Sequence, residues 1–370
     1  MDPATLEGLI VRELRKASEI SRRDLAVRLE VARSTAGRRV DSLIERGLIR
    51  EKGIEEKSGV GRPKRFLELC GSHGSFLGFD FDARFLFVAL VDFAQNTILE
   101  KRIQLPSHPT KDAVLALLRD TMEETSSRSP TPVLGYGIGV PGRVRQQDRI
   151  ALGYPYIRGW ENVDLAASLE IPVERLAIEN NTRTIALGEY WLGNPAAIEN
   201  LVCLSVRTGI STAVISDGRI LRGYHETAGE IRGWTVPGVG GESRAWLEDE
   251  ATVRRIGKDG ETTSTEWREF VQGCQSGRDS ALKELEVIVS HHADAIARLI
   301  QLSDPELVIV AGAFNELGEV YLDPLCKEVE IYLKDHYFPA PEIRFAFKAE
   351  FSGAHGAAAL AAQDYRPEAV

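Results

Sequence analysis

Apolar residues recur at helical spacing three times in the first fifty positions. Leu6, Leu9, Ile10 and Leu14 form one stripe, Leu25, Ala26 and Leu29 a second, and Val40, Leu43 and Ile44 a third. That spacing predicts three helices with one buried face each. Ser21 is placed to cap the second helix, Arg22 to Leu29, and Gly47 to stop the third, about Arg33 to Arg46. Leu48 to Lys52 then reads as a strand and Arg65 to Leu69 as its antiparallel return. Two short helices, a turn, a third helix and a hairpin make a winged helix-turn-helix. The third helix would turn Arg33, Ser34, Thr35, Arg38 and Arg39 outward, towards phosphates and base edges in a major groove. The hairpin tip, Ser58 to Lys64, is rich in glycine and carries Arg62 and Lys64, as a wing crossing the DNA backbone or minor groove would. Ala32 stands where a capping Ser is usual, and Gly37 interrupts the third helix.

The pattern changes beyond residue 75. Phe76 to Asp92 reads as two buried strands turning at Asp82-Ala83-Arg84, and Thr97 to Leu105 as a third that completes a meander. A helix over Asp112 to Ser126 and a strand over Val133 to Val140 follow. Leu176-Ala177-Ile178 ends in Glu179-Asn180-Asn181, and an amphipathic helix is expected from Thr182. Strands at Leu201 to Val206 and Ala213 to Ile215, a helix over Ser280 to Gln301 and a strand at Leu307 to Val310 complete an α/β pattern. Polar groups at the carboxyl end of a strand, facing a helix N-terminus, are where such folds hold small ligands. An Asn-rich turn with Thr182 as a plain helix cap would leave the same pattern.

Composition narrows the class. With 370 residues, 43% hydrophobic and 27% charged, the chain has the make-up of a soluble globular protein of two or three domains. No apolar run approaches the eighteen or so residues of a membrane span, and the N-terminus lacks an export pattern, so a cytoplasmic location is expected. The four cysteines, Cys70, Cys203, Cys274 and Cys326, have no metal-ligand spacing and read as reduced thiols. The net charge of −10 is unevenly spread. Residues 1–70 hold 16 Lys and Arg against 12 Asp and Glu, and the remainder 29 against 43. A basic head on an acidic body suits a head that meets a polyanion.

Several motifs, in order, resemble the ROK family of sugar kinases and repressors. Glu179-Asn180-Asn181 resembles its Glu-Asn-Asp signature, Gly139-Val140-Pro141-Gly142 its Gly-Val-Pro-Gly turn, and Tyr154 to Trp160 its sugar loop. Gly229-Glu230-Ile231 resembles its Gly-Glu-Ile run, and Gly353 to Leu360 its small-residue closing helix, which packs closely on the first lobe. The head resembles those of ROK repressors, including the Gly61-Arg62-Pro63 wing. The resemblance implies a two-lobed actin-like ATPase fold behind the head. The expected domains are 1–72 for the head and 73–370 for the body. Lobe one would comprise about 73–190 plus a C-terminal helix at 353–364, and lobe two about 191–352.

The departures from the family pattern bear on function. The resemblance places a catalytic Asp where Asn181 stands, and an amide cannot accept a hydroxyl proton near neutral pH. Asp82-Ala83-Arg84 replaces the Gly-Gly-Thr of the first phosphate loop, and Gly209 alone remains of the second. Tyr156 replaces a sugar-binding Asn, and its ring could instead stack on a pyranose or equally fill the pocket itself. Gly233 replaces a zinc-binding His, and residues 238–243 hold none of the family's cysteine ligands. His291 and His292 read as surface residues. The expectation is a DNA-binding regulator, a repressor of carbohydrate genes without catalysis, cofactor or metal. Its partners would be operator DNA, a second copy of the chain or a dimer of dimers, and a sugar held by Tyr156, Asn180, Asn181 and Glu230. An active sugar kinase with a fused head, or a regulator whose body docks a protein, are the other readings.

Overall fold

The computed structural model describes residues 5–16, 19–54, 65–193, 198–237, 244–257, 262–334 and 339–365. The expected wing tip, with Arg62 and Lys64, lies outside the described residues, as does the run 238–243.

The head comprises α1 (Leu6–Lys16), β1 (Ile20–Ser21), α2 (Arg22–Arg28), α3 (Arg33–Glu45), β2 (Ile49–Ile54) and β3 (Arg65–Leu69). Ser21 caps α2 in a reciprocal box. Its hydroxyl accepts from the Asp24 N–H at 3.3 Å, and the Asp24 carboxylate accepts from the Ser21 N–H at 3.1 Å. The three strands order as β1-β3-β2, antiparallel throughout. Ile10, Leu14, Leu25, Ala36, Val40, Leu43 and Leu67 fill the core beneath them. Gly47 leaves α3 at φ +71°, the left-handed turn that glycine supplies without strain.

Ala32 begins α3 with no side-chain cap, and a Cβ added at Gly37 would meet nothing within 4 Å. Gly37→Ala should therefore stabilise the head by about 1 kcal/mol, through helix propensity and a less flexible unfolded chain. Urea unfolding followed on the head's helical signal checks this. A destabilised variant would mean that the backbone there is not free to take a side chain.

The chain divides into two compact units, residues 1–81, 85–179 and 354–370, and residues 82–84 and 180–353. In the first unit β4 (Ser75–Phe81), β5 (Phe85–Asp92) and β6 (Thr97–Gln104) form the meander, followed by α4 (Lys111–Ser127) and β7 (Val133–Val140). A small sheet of β8 (Arg143–Arg145), β9 (Ile150–Gly153) and β10 (Glu161–Asp164) and a short α5 (Leu165–Leu169) precede β11 (Leu176–Asn180). The main sheet runs β11-β7-β4-β5-β6, with β4 and β7 parallel.

The second unit opens with α6 (Asn181–Leu192), β12 (Leu201–Val206), β13 (Ile210–Ser216) and β14 (Arg219–Ile220). β15 (Thr235–Val236), β16 (Ala245–Trp246), α7 (Leu247–Glu250), α8 (Ser264–Gln275) and α9 (Asp279–Ser303) follow, then β17 (Leu307–Gly312), α10 (Glu319–Leu333) and β18 (Glu342–Phe345). Its sheet runs β14-β13-β12-β17-β18. Behind it Trp267, Phe314 and Tyr321 pack with α9 in one core. The chain closes with α11 (Ser352–Asp364). A Cβ at Gly78 would fall on the Ala354 carbonyl, and one at Gly137 on the Ala357 carbonyl. The closing helix therefore lies against β4 and β7 at a distance that only glycine allows, as the resemblance implied.

Three sequence expectations need correction. α6 packs on β12 and β13 and belongs with the second unit, whereas the expected lobe boundary was 190. It is not amphipathic either, since every residue from Thr182 to Glu189 is buried. His291 and His292 are not surface residues. They are 8% and 0% exposed, because α9 packs between α8, α10 and β12 and has little solvent face at that level.

Candidate nucleic-acid interface and effector site

On α3, Arg33, Ser34, Arg38 and Arg39 are exposed and Thr35 is half-buried. They are not equally available. Arg39 Nη1 stands 3.5 Å from Glu7 of α1, whose other oxygen takes Arg46 at 2.8 Å. Arg33 and Arg38 have no ion-pair partner among the described residues. These two exposed guanidinium groups, five residues or about 1.4 turns apart on α3, can each meet a phosphate or a guanine edge.

In the second unit the Asn180 side chain has a structural task. Its Oδ1 accepts from the N–H groups of Thr182 at 3.0 Å and Arg183 at 3.2 Å, so Asn180, rather than Thr182, caps α6. Asn181 is the first residue of the helix and half-buried. Arg183, only 2% exposed, reaches across to the segment before Glu230. It donates to the Glu226 carbonyl at 2.8 Å, the Ala228 carbonyl at 3.2 Å and the Glu226 carboxylate at 3.2 Å. Thr182 Oγ1 meets Ser211 Oγ at 2.5 Å, and the Thr212 N–H donates to the Gly229 carbonyl at 2.9 Å. Residues 180–183, 211–212 and 226–230 thus form one hydrogen-bonded cluster, from which exposed Glu230 projects. Gly229 at φ +93° makes the turn, and a Cβ there would fall on the Thr212 carbonyl. Tyr156 lies in the first unit, half-buried and edge-on to Tyr154 with centroids 5.2 Å apart.

Sequence reading missed Arg183. The available signal was a charged residue within a helix turn otherwise made of small polar residues, with no way to see its partners some forty positions on.

The two turns at the phosphate-loop positions are both closed. At the β4–β5 turn Asp82 Oδ1 accepts the Arg84 N–H at 2.7 Å, so the carboxylate occupies a donor that an anion would need. At the other, β12 and β13 pair up to Val206↔Ile210, leaving a three-residue turn in which the Arg207 N–H donates to the Gly209 carbonyl at 2.8 Å. The Glu248 carboxylate stands 2.9 Å from where a Gly209 Cβ would be. Each turn thus carries a carboxylate where a phosphate would approach, beside Arg84 and Arg207 of the same turns and with Glu248 also 3.6 Å from Arg254. No group of three His, Cys, Asp or Glu side chains that could hold a metal ion occurs among the described residues, and Gly233, where the family has a zinc-binding His, offers no ligand atom in its side chain.

Residues 77–364, more than three quarters of the chain, match the ROK family. The chain belongs to the ROK family. Residues 5–50 match a winged helix-turn-helix DNA-binding module, so this ROK protein carries a DNA-binding head. It is 26% identical over 347 residues to a xylose repressor of Caldicellulosiruptor bescii, covering 86% of this chain and 85% of that protein. A glucokinase of Thermotoga maritima is 25% identical over 272 residues, covering 68% of this chain and 85% of the enzyme. A solved structure of a ROK family transcriptional regulator, a homologue of the E. coli MLC protein, superposes with a TM-score of 0.74 at 22% identity, over 97% of this chain and 96% of that one. The fold is therefore a winged helix-turn-helix followed by the ROK actin-like fold. The family's members include both repressors and kinases. No helix among the described residues is long and apolar enough to cross a membrane.

Proposed function

We propose that this ROK protein is a transcriptional repressor of carbohydrate-metabolism genes whose body senses a sugar and does not phosphorylate it. The observation that carries the non-enzymatic reading is Asp82, whose carboxylate closes the turn that should receive phosphate. Glu248 at the second turn and an amide at Asn181 point the same way. The repressor match supports the regulatory part, because it extends over more of this chain than the glucokinase match does.

In this reading residues 1–72 bind operator DNA through Arg33, Ser34, Thr35, Arg38 and Arg39, with Arg62 and Lys64 on the wing, and residues 73–370 sense and dimerise. A homodimer would set two heads on half-sites one helical turn apart, or a multiple of it. Asn181 and Glu230 offer the hydroxyl-binding groups. Asn180 at the start of α6 and Tyr156, through its aromatic face, complete the proposed set.

Arg38→Ala should weaken operator binding more than tenfold and reduce the slope of log affinity against log salt by about one. Fluorescence anisotropy with operator fragments across a salt series checks this, and undiminished binding would remove α3 from the groove. For the effector, the thermal midpoint should rise with one sugar of a panel and not with Mg-ATP. Ligand at about a hundred times its dissociation constant adds roughly 2.7 kcal/mol. ATP turnover that disappears in Asn181→Ala would overturn the non-enzymatic reading.

A further inference from the structure

Within the first unit, a cavity of about 460 Å³ lies between the head and the β5–β6 turn, a volume typical of small-ligand sites. Leu14, Leu67 and Leu69 give it an apolar wall. The charged groups around it are Arg15, Arg50 and Lys52 against Glu68 and Asp92, a surplus of one positive charge.

Both carboxylates already have hydrogen-bond partners. Glu68 takes Arg50 at 2.6 Å and Lys52 at 3.2 Å. Asp92 accepts from the Asn96 backbone at 2.8 Å and its side-chain amide at 2.9 Å. Arg15 differs. It has no ion-pair partner among the described residues, its buried Nε has no hydrogen-bond partner, and its guanidinium rests on the Phe93 ring 5.9 Å from the centroid. Burial lowers its pKa to about 10, with no carboxylate opposing the shift. Arg15 is half-buried as a residue, but an enclosed Nε–H without an acceptor is costly unless an anion meets it.

We propose that this cavity is a second ligand site, which binds a small monocarboxylate with an apolar body through Arg15. The planar guanidinium matches a carboxylate in two parallel hydrogen bonds. A surplus of one charge suits a monoanion and not a dianionic phosphate, and the leucine wall requires an apolar body. Arg15, Arg50 and Lys52 belong to the head, and Asp92 and Asn96 to the sheet behind it. A bound carboxylate therefore ties the head to the first unit's body and gives DNA binding an input separate from the sugar. None of the residues assigned to the sugar takes part, so either proposal can fail alone.

The test is the thermal midpoint of the full chain against benzoate and hexanoate at fixed ionic strength, with benzamide and inorganic phosphate as controls. It is repeated in Arg15→Met and in Ala94→Trp, which fills the cavity from the body side. The expected result is a saturable rise of a few degrees with a carboxylate, absent with benzamide and phosphate, and lost in both variants. Arg15→Met without ligand should melt no lower than the wild type, since an uncompensated charge has gone. Should Arg15→Met fail to fold, Ala94→Trp decides. The proposal is overturned by no saturable rise with either carboxylate, by an equal rise in the variants, or by a larger rise with phosphate.

Discussion

Glu189→Ala should lower the stability of the second unit by about 3 kcal/mol, the scale of a buried ion pair broken from one side. Glu189 lies near the end of α6 and is 1% exposed. One oxygen accepts the Phe347 N–H at 2.6 Å and the Ser352 hydroxyl at 3.1 Å, and the other accepts Arg344 at 3.0 Å. Burial pushes the carboxyl pKa up, and the Phe347 amide, Arg344 and Ser352 pull against it. Alanine leaves that amide and that guanidinium without their acceptor. Glu189→Gln keeps an acceptor for Phe347 and Ser352 and should lose about half as much. Urea unfolding of the three proteins at pH 7 gives the ranking. Equal loss in both variants would mean that the charge, and not the hydrogen bonds to Phe347 and Ser352, holds the segment. The same anchor fixes the helix that Asn180 caps and whose first turn carries Asn181 and Arg183, so affinity for the proposed sugar should fall in parallel.

The sequence was most legible where short-range rules decide. The Ser21–Asp24 box, the stop at Gly47 and the three helical stripes of the head are all written within a few residues of where they act. The β4 to β6 meander followed in the same way, from alternating apolar runs and turns. The candidate site was legible in part from the strand end at Asn180 and Asn181 and in part through resemblance, which added Glu230, and neither revealed that the Asn180 side chain caps α6. Arg183, Glu189 and Glu248 escaped notice because each acts on a partner between about forty and 160 positions away. A charged residue reads as surface by default, and only the packing of α6 on β12 and β13 makes Arg183 and Glu189 interior.

His292 shows the same failure and gives the last prediction. Its Nε2–H donates to the Ala251 carbonyl at 2.6 Å, which leaves Nδ1 to accept the Tyr321 hydroxyl at 2.9 Å. That pair of bonds needs the neutral ring. Burial, opposed by the Ala251 carbonyl and aided by the neighbouring His291, pushes its pKa down to about 4. The ordinary value in an unfolded chain is about 6.5. As pH falls through 6.5 the unfolded chain takes up a proton that the folded one refuses, so stability is lost from there down to about pH 4 and then levels off. The gap corresponds to about 3 kcal/mol. His291, also lowered by burial, acts in the same direction. Urea unfolding at pH 7 and pH 4.5 should show the loss in the wild type. His292→Gln, whose amide can replace the ring's donor and acceptor but cannot titrate, should be somewhat less stable at pH 7 and much flatter with pH. A wild-type slope retained in His292→Gln would place the acid sensitivity elsewhere, and would mean that the ring accommodates its second proton by turning the Tyr321 hydroxyl into an acceptor.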